Sequence, residues 1–303
     1  MVREYSKNIW QVLICPQCGS HLEKASDGAS CKNCQFVYPY ASSGSLDLRL
    51  KQPKIHPLEF ELGGDLLANP ELKVKPLPEN SSPQVDFSGM NVPHHLSKEL
   101  MSYFPKAKGA GSLMLDLGCG STIHQGVCER AGFEYVGLDY DSAQTPILGD
   151  AHALPFKDNS FEFILSIAML EHIRYPLVVM REAQRVMKPG GKLIGTVAFL
   201  EPFHGNSFYH HTHLGALNSL QYGGFKVSHI APSREWPMLV AQTSMGGLFP
   251  GMPRILAMAL VRPLRIFQAL LLQLNVSLGR IDEDVYIRRT AGSIVFIAVK
   301  EQF

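Results

Sequence analysis

Four cysteines stand in two Cys-x-x-Cys pairs, Cys15-Pro16-Gln17-Cys18 and Cys31-Lys32-Asn33-Cys34, with twelve residues between the pairs. Two knuckles at this separation can place four thiolates tetrahedrally around one zinc ion. With no open coordination position, such an ion is structural and supplies folding energy that so small a module cannot draw from a core. Gly19, just past the first knuckle, suits the turn that aims backbone amides at sulfur. A pair of disulfides, or an emptied relic ribbon, is the alternative. A second chemically suggestive group lies mid-chain, where Leu113-Met114-Leu115-Asp116-Leu117 runs into Gly118-Cys119-Gly120 and Tyr135-Val136-Gly137-Leu138 runs into Asp139. An apolar run ending in a Gly-x-Gly turn lets the main chain approach a ligand without Cβ atoms in the way. An acid about 20 residues further on can accept hydrogen bonds from the hydroxyls of a ribose. Ile123 stands where a dinucleotide fingerprint needs its third glycine, so that pattern fails.

The elements that must position these residues follow from the hydrophobic periodicity. Strands are expected near 113–117, 134–139, 145–148, 161–166, 192–199, 225–231 and 292–299, and helices near 124–131, 175–187 and 213–222. Alternating strand and helix predict a doubly wound α/β domain. Residues 1–50 form the cysteine module, 51–95 a proline-rich linker with a short helix near Pro57 to Leu67, and 96–303 the α/β domain. The adjacent His94 and His95 read as solvated. An insertion from 236 to 289 separates the last two strands.

The ordered series around these strands resembles class I S-adenosylmethionine (SAM)-dependent methyltransferases, in the branch that includes ubiquinone- and sterol-type enzymes. It comprises Asp116 with Gly118-Cys119-Gly120, then Gly149-Asp150-Ala151-His152-Ala153-Leu154-Pro155-Phe156 and Asp158-Asn159-Ser160-Phe161. Ile164-Leu165-Ser166 with Leu170-Glu171-His172, and Glu182 with Arg185-Val186-Met187-Lys188-Pro189-Gly190-Gly191, complete it. The resemblance covers residues 110 to 230 and implies a Rossmann-like seven-stranded sheet with six parallel strands and one antiparallel. It implies that Gly118 and Gly120 approach the methionine part of SAM while Asp116 holds the turn. Asp139 would take the ribose hydroxyls, Asp150 the adenine amino group with the Ala151 amide beside it, and Ser166 would face the transferred methyl. The words Leu13-Ile14-Cys15-Pro16, Phe36-Val37-Tyr38-Pro39 and Gly44-Ser45-Leu46-Asp47-Leu48 resemble a zinc-ribbon family, the small activator subunit of several tRNA, rRNA and release-factor methyltransferases. Zinc on Cys15, Cys18, Cys31 and Cys34 agrees with that resemblance.

Methyl transfer to a hydroxyl needs a base, and histidine suits neutral pH. His172, His204 and His213 are the candidates, with His210 and His211 in the same cluster; Glu171 reads as an orienting residue. Nitrogen-methylating relatives commonly place Pro-Pro and an aromatic residue after the fourth strand's polar residue, whereas Ser166 is followed by Ile167-Ala168-Met169. Methylation of nucleobase or glutamine nitrogens is therefore disfavoured. A net charge of +1 with no long charge run predicts no nucleic-acid surface. Met1-Val2-Arg3-Glu4-Tyr5 lacks an apolar signal core, which predicts a cytosolic start. The longest uncharged run, 236 to 253, is broken by glycines, prolines and polar residues and is not read as a membrane span.

Within the insertion, stepping at helical period gathers Arg254, Arg262, Arg265, Gln268 and Gln273 on one arc, with Met258, Val261 and Leu272 among them. An amphipathic helix, bent or split at Pro263, is expected there. A lid packed on the domain, an interfacial helix resting on anionic lipid through 253–274, and a dimer contact all fit this pattern. The function these readings imply is SAM-dependent methyl transfer to an oxygen, less readily a carbon, of a small-molecule, glycan or lipid-linked acceptor. The alternatives are an RNA or protein methyltransferase whose ribbon docks its substrate, and a SAM-binding scaffold without turnover.

Overall fold

A short helix α1 (Lys7–Val12) begins at Ser6, whose side chain accepts a hydrogen bond from the Ile9 amide at 3.2 Å and so satisfies one of the free donors of the first turn. Strands β1 (Leu22–Ala25), β2 (Gly28–Cys31) and β3 (Val37–Pro39) follow as a three-stranded antiparallel sheet. The computed structural model describes residues 3–60, 74–201 and 205–302. Strand β4 (Leu46–Leu48) follows the small sheet and pairs in parallel with a strand 101 residues later, in the register Leu46↔Ile147, Asp47↔Leu148, Leu48↔Gly149. Beyond it, residues 57–60 are irregular, and the remainder of the helix expected near Pro57 to Leu67 lies outside the described residues.

The large domain runs α2 (Lys98–Met101), β5 (Leu113–Leu117), α3 (Gln125–Arg130), β6 (Glu134–Asp139), β7 (Ile147–Gly149), β8 (Phe161–Ile167), α4 (Pro176–Val186), β9 (Met187–Ala198), α5 (His213–Tyr222) and β10 (Lys226–Pro232). The insertion then forms α6 (Met238–Ser244), α7 (Arg254–Ser277) and α8 (Glu283–Thr290) before β11 (Ser293–Val299). The main sheet has the order β10-β11-β9-β8-β5-β6-β7-β4. β11 runs antiparallel to both neighbours, and the pairings from β9 to β4 are parallel. The sheet is thus mixed, with eight strands where seven were expected; the eighth is β4, contributed by the N-terminal module. The physical reason is an open edge. β7 would otherwise end the sheet with unpaired main-chain groups, and β4 both satisfies them and buries Leu46 and Leu48 completely.

The N-terminal module does not hang beside the domain. Leu13 bridges Phe156, the Ile14 amide donates to the Pro155 carbonyl at 2.9 Å, and Leu13, Tyr38 and Leu46 pack in the same apolar cluster as Leu115, Leu138 and Phe156. Helix α4 starts with Pro176 at its first turn and turns Val179, Met180, Ala183 and Val186 inward at helical spacing. Its outward acid and base have a positioning task. Glu182 accepts from the Leu154 amide at 2.8 Å, while Arg185 donates to the carbonyls of Leu154 (3.0 Å) and Phe156 (2.7 Å), pinning the loop that follows β7.

Helix α7 runs unbroken through Pro263, so the split form does not occur. A proline there leaves the Ala259 carbonyl without its helical donor, which an exposed position tolerates because water can replace it. The faces of α7 are the reverse of an ordinary lid. Ala257 and Val261 are buried and Arg254 and Arg265 turn toward the domain, while Leu256, Leu260, Leu264, Phe267, Leu271 and Leu274 are exposed.

Candidate functional site

Two cavities open at the carboxyl ends of the parallel strands, where ligands bind in open α/β sheets. The larger, about 1020 Å³, is lined by Gly118 and Gly120 after β5, Asp139 at the end of β6, and Asp150, Ala151 and His152 after β7. Met169 and His172 after β8, and Leu50 and Lys54 after β4, complete its wall. Gly118 has φ +78°, and a Cβ there would collide with the Met169 side chain. Gly120 has φ +48°, and nothing lies within 4 Å of where its Cβ would be, so that space is left to a ligand. The Gly120 amide donates to Asp139 Oδ2 at 2.9 Å, which ties the glycine turn to the acid of the next strand.

Asp150 caps the short 3₁₀ turn Ala151–Ala153 and meets a partner that spacing alone did not mark. His152 donates to Asp150 Oδ1 from its backbone amide (2.9 Å), its Nδ1 lies 2.7 Å from the same oxygen, and its Nε2 accepts the Tyr175 amide at 3.1 Å. A ring that accepts at Nε2 carries its proton on Nδ1, and this fixes the tautomer. These bonds outweigh burial and hold the Asp150 carboxyl below the usual carboxylate range, ionised for a ligand's amino donor. Asp116 behaves differently. It is 1% exposed, lines neither cavity, accepts the Tyr135 hydroxyl at 2.6 Å, and is pushed up by burial. It ties β5 to β6 from within the core.

The second cavity, about 380 Å³, adjoins the first at Ala168, which lines both. Ala168 follows β8 with φ +49°, a backbone conformation that costs a residue with a Cβ about 1–2 kcal/mol. Its amide donates to both the carbonyl and the side chain of Thr196, each at 3.1 Å, which sustains the turn. Beyond Ala168 the cavity is walled by Glu171, Glu201, Glu235 and Trp236, by His94 and His95, and by Arg254 and Arg265 of α7. Of the histidine pair expected in solvent, His94 is exposed and His95 half-buried; both rings also pack against Trp236, 5.5 and 4.9 Å between centroids, and Arg254 reaches His94 Nε2 at 3.0 Å.

Glu171 is the unusual group in this wall. It is 1% exposed; Oε1 accepts the Ala198 amide at 3.2 Å, and Oε2 has no partner among the described residues. Burial, only partly offset by backbone donors and reinforced by Glu201, pushes its carboxyl up to about 7. Its carbonyl also accepts the amides of Phe208 (2.7 Å) and Tyr209 (3.3 Å), anchoring the segment after β9. A buried carboxyl oxygen poised near neutrality is suited to taking a proton.

At the far edge of the N-terminal module, the sulfur atoms of Cys15, Cys18, Cys31 and Cys34 lie within 4.8 Å of one another, and none is disulfide-bonded. The Cys15–Cys34 and Cys18–Cys31 sulfur separations are 3.5 Å, close to the edge of about 3.8 Å in a tetrahedron with 2.3 Å metal–sulfur bonds. The residue after each knuckle takes a left-handed turn, Gly19 at φ +75° and Gln35 at φ +62°, and its amide bonds back to the first cysteine's carbonyl. The donor set therefore fits a four-thiolate metal site.

Comparison with known proteins agrees with the cofactor-side geometry. Residues 115–195 match the family model described as a methyltransferase domain. The chain carries a SAM-dependent methyltransferase domain. It is similar to an uncharacterized methyltransferase of Mycobacterium marinum, 28% identical over 153 residues that make up 46% of this chain and 60% of that one. It is also similar to a ubiquinone biosynthesis O-methyltransferase of Cereibacter sphaeroides, 25% identical over 141 residues, 42% of this chain and 56% of that one. The chain thus spans less than two thirds of the length of either relative. Among solved structures, a complex of the Haloferax volcanii Trm112 methyltransferase activator with a methyltransferase aligns over 69% of this chain and 90% of that one, at 18% identity and a TM-score of 0.48.

Within the methyltransferase domain the expected residues separate into two groups. Gly118, Gly120, Asp139, Asp150 and Ala151 converge on the larger cavity, as does His172. Ser166 does not; it is fully buried with an unpartnered hydroxyl, because β8 continues to Ile167 and the chain turns into the cavities at Ala168. His213 begins α5 in solvent and lines neither cavity, His210 is exposed with Nδ1 3.1 Å from the Phe199 carbonyl, and His211 is buried. His204 lies outside the described residues. Sequence reasoning missed the role of Ala168, the second cavity and the entry of Leu50 and Lys54 into the first. The acid of the Leu-Glu-His segment was visible, but its burial was not.

Proposed function

We propose that this chain transfers a methyl group from SAM to an oxygen of a small-molecule, glycan or lipid-linked acceptor held in the second cavity, with Glu171 as the base. The observation that carries this reading is the junction at Ala168, where a cavity with the cofactor motifs meets one walled by a near-neutral carboxyl whose Oε2 has no partner among the described residues. SAM supplies an electrophilic methyl on a sulfonium, whose carbon–sulfur bond breaks as the acceptor oxygen bonds the methyl, leaving a neutral thioether. Gly118 and Gly120 would hold its amino-acid part, Asp139 its ribose, and Asp150 with Ala151 its adenine; the turn geometry and ionised Asp150 fit that ligand. Glu171 Oε2 takes the acceptor's hydroxyl proton, and Arg254 and Arg265 orient the acceptor's polar groups. The resemblance to a ubiquinone biosynthesis O-methyltransferase supports oxygen as the nucleophile.

The four cysteines, on this reading, hold a structural zinc ion that fixes the N-terminal module and through it β4. The test joins equilibrium binding of S-adenosylhomocysteine to transfer of labelled methyl from SAM into metabolite and lipid extracts. Wild type is expected to bind and transfer; Glu171→Gln is expected to bind as wild type and transfer about 10²- to 10⁴-fold more slowly. Transfer at the wild-type rate by Glu171→Gln would remove Glu171 from the mechanism, and a chain that binds no S-adenosylhomocysteine would refute the reading as a whole.

A further inference from the structure

From Trp236 to Ile281 the chain contains no acidic residue and four arginines, Arg254, Arg262, Arg265 and Arg280. Helix α7, at the centre of this stretch, has a mean hydropathy of 1.8 over its most apolar 18 residues, of which only 11% are buried. Its exposed side chains are large. Ile255 is 84% exposed, and the row Leu256, Leu260, Leu264, Phe267, Leu271 and Leu274 is spaced to make one continuous outward stripe. Leu248 and Met252 just before the helix, and Leu278 and Ile281 after it, extend the same exposed apolar surface. In water such a surface is costly and marks an interaction site.

Length and composition alone would let α7 cross a bilayer, since 24 residues reach about 36 Å against a hydrocarbon core of about 30 Å. The sheet forbids it. β10 and β11, which flank the insertion, are hydrogen-bonded neighbours with Pro232 opposite Ile294, so both ends of the insertion leave from one place. A single crossing would put those strands on opposite sides of the membrane, and α8, with eight residues, is too short to return. The inward row is also held along the domain, by Arg254 at His94, by burial of Ala257 and Val261, and by Leu272, which lines a cleft shared with α8.

We propose that α7 lies in the plane of an anionic membrane surface, its outward leucines and Phe267 among the acyl chains, Arg262 and Arg280 near the headgroups, and the second cavity behind them. Charge complementarity selects a lipid partner. An acid-free stretch that exposes Arg262 and Arg280 matches anionic headgroups, and a helix apolar over its whole outer face matches acyl chains better than a protein groove of limited length. Arg254, Met258 and Arg265 wall the second cavity from the inner side of this same helix, so docking places that cavity directly behind the membrane face.

The experiment is flotation of the full chain with vesicles of equal parts phosphatidylcholine and phosphatidylglycerol, and with phosphatidylcholine alone. Wild type is expected to float strongly with the anionic vesicles and weakly with the neutral ones. The double substitution Leu260→Asp with Leu271→Asp alters only exposed side chains, so it is expected to fold and bind S-adenosylhomocysteine as wild type while losing more than about tenfold in vesicle partitioning. Arg262→Gln with Arg280→Gln is expected to lose about tenfold on anionic vesicles only. Wild type that stays below the vesicles, or a leucine variant that floats as wild type does, overturns the proposal. So does a wild-type dimer that ignores vesicles and becomes monomeric in the leucine variant, since a second copy would then cover the stripe. Failure to bind S-adenosylhomocysteine would refute the methyl-transfer reading and leave the flotation result standing.

Discussion

Replacing Glu171 with glutamine should make the protein more stable and less active at once, and the structure sets the size of the first effect. Burial raises this carboxyl from 4.5 in the unfolded chain to about 7 in the folded one. The folded state therefore binds the proton more tightly, so the group's stabilising contribution is complete below about 4.5 and is lost as pH rises through about 7. At about 1.4 kcal/mol per pH unit, a gap from 4.5 to about 7 corresponds to about 3 kcal/mol of stability lost on going from acid to pH 8. Glutamine is neutral throughout and keeps an oxygen for the Ala198 amide. Urea denaturation of wild type and Glu171→Gln at pH 5, 6, 7 and 8 should give nearly parallel stabilities at pH 5 and a variant about 3 kcal/mol more stable at pH 8. Catalysis should run the other way. Wild-type transfer should rise about tenfold per pH unit below pH 7 and level off above it, and the slower variant should show no such limb. Equal stabilities at pH 8, or an unchanged pH limb in the variant, would refute the assignment of a buried, near-neutral base.

Other consequences can be checked without an acceptor. Asp139→Ala removes both the predicted ribose contact and the anchor of the Gly120 amide; S-adenosylhomocysteine affinity should fall about 10- to 100-fold by calorimetry, as expected for lost hydrogen bonds to a charged group. Gly118→Ala drives a Cβ into Met169 at a backbone angle of +78°, so the urea midpoint should fall by the equivalent of about 1–3 kcal/mol and cofactor affinity with it. A chelator, or Cys31→Ser, should release one zinc ion per chain by mass spectrometry and weaken S-adenosylhomocysteine binding. The reason for the last effect is that β4 pairs with the strand leading into Asp150; unaltered binding after complete metal loss would separate the two sites.

The local patterns in the sequence were decisive wherever the physics is local. Apolar runs placed β5 and β6 to the residue, because a strand buried on both faces needs them. Thr212, which caps α5 through the Gly215 amide, opens the helix just where the sequence pattern put it. The cysteine quartet and the glycine turn were legible for the same reason, since short spacings fix which atoms can meet. What the sequence could not decide rests on distant partners. Parallel pairing of β4 with β7 joins segments 101 residues apart and has no local signature, so the eighth strand came only with the fold. The burial that lifts Glu171 toward neutrality is contributed by walls from several separate segments, and no spacing around Glu171 records it. The composition of α7 showed two faces, but which one meets the domain is settled by where its ends are fixed. The paired ends of β10 and β11, and Arg254 at His94, turn Arg254 and Arg265 toward the domain and leave the leucines outside.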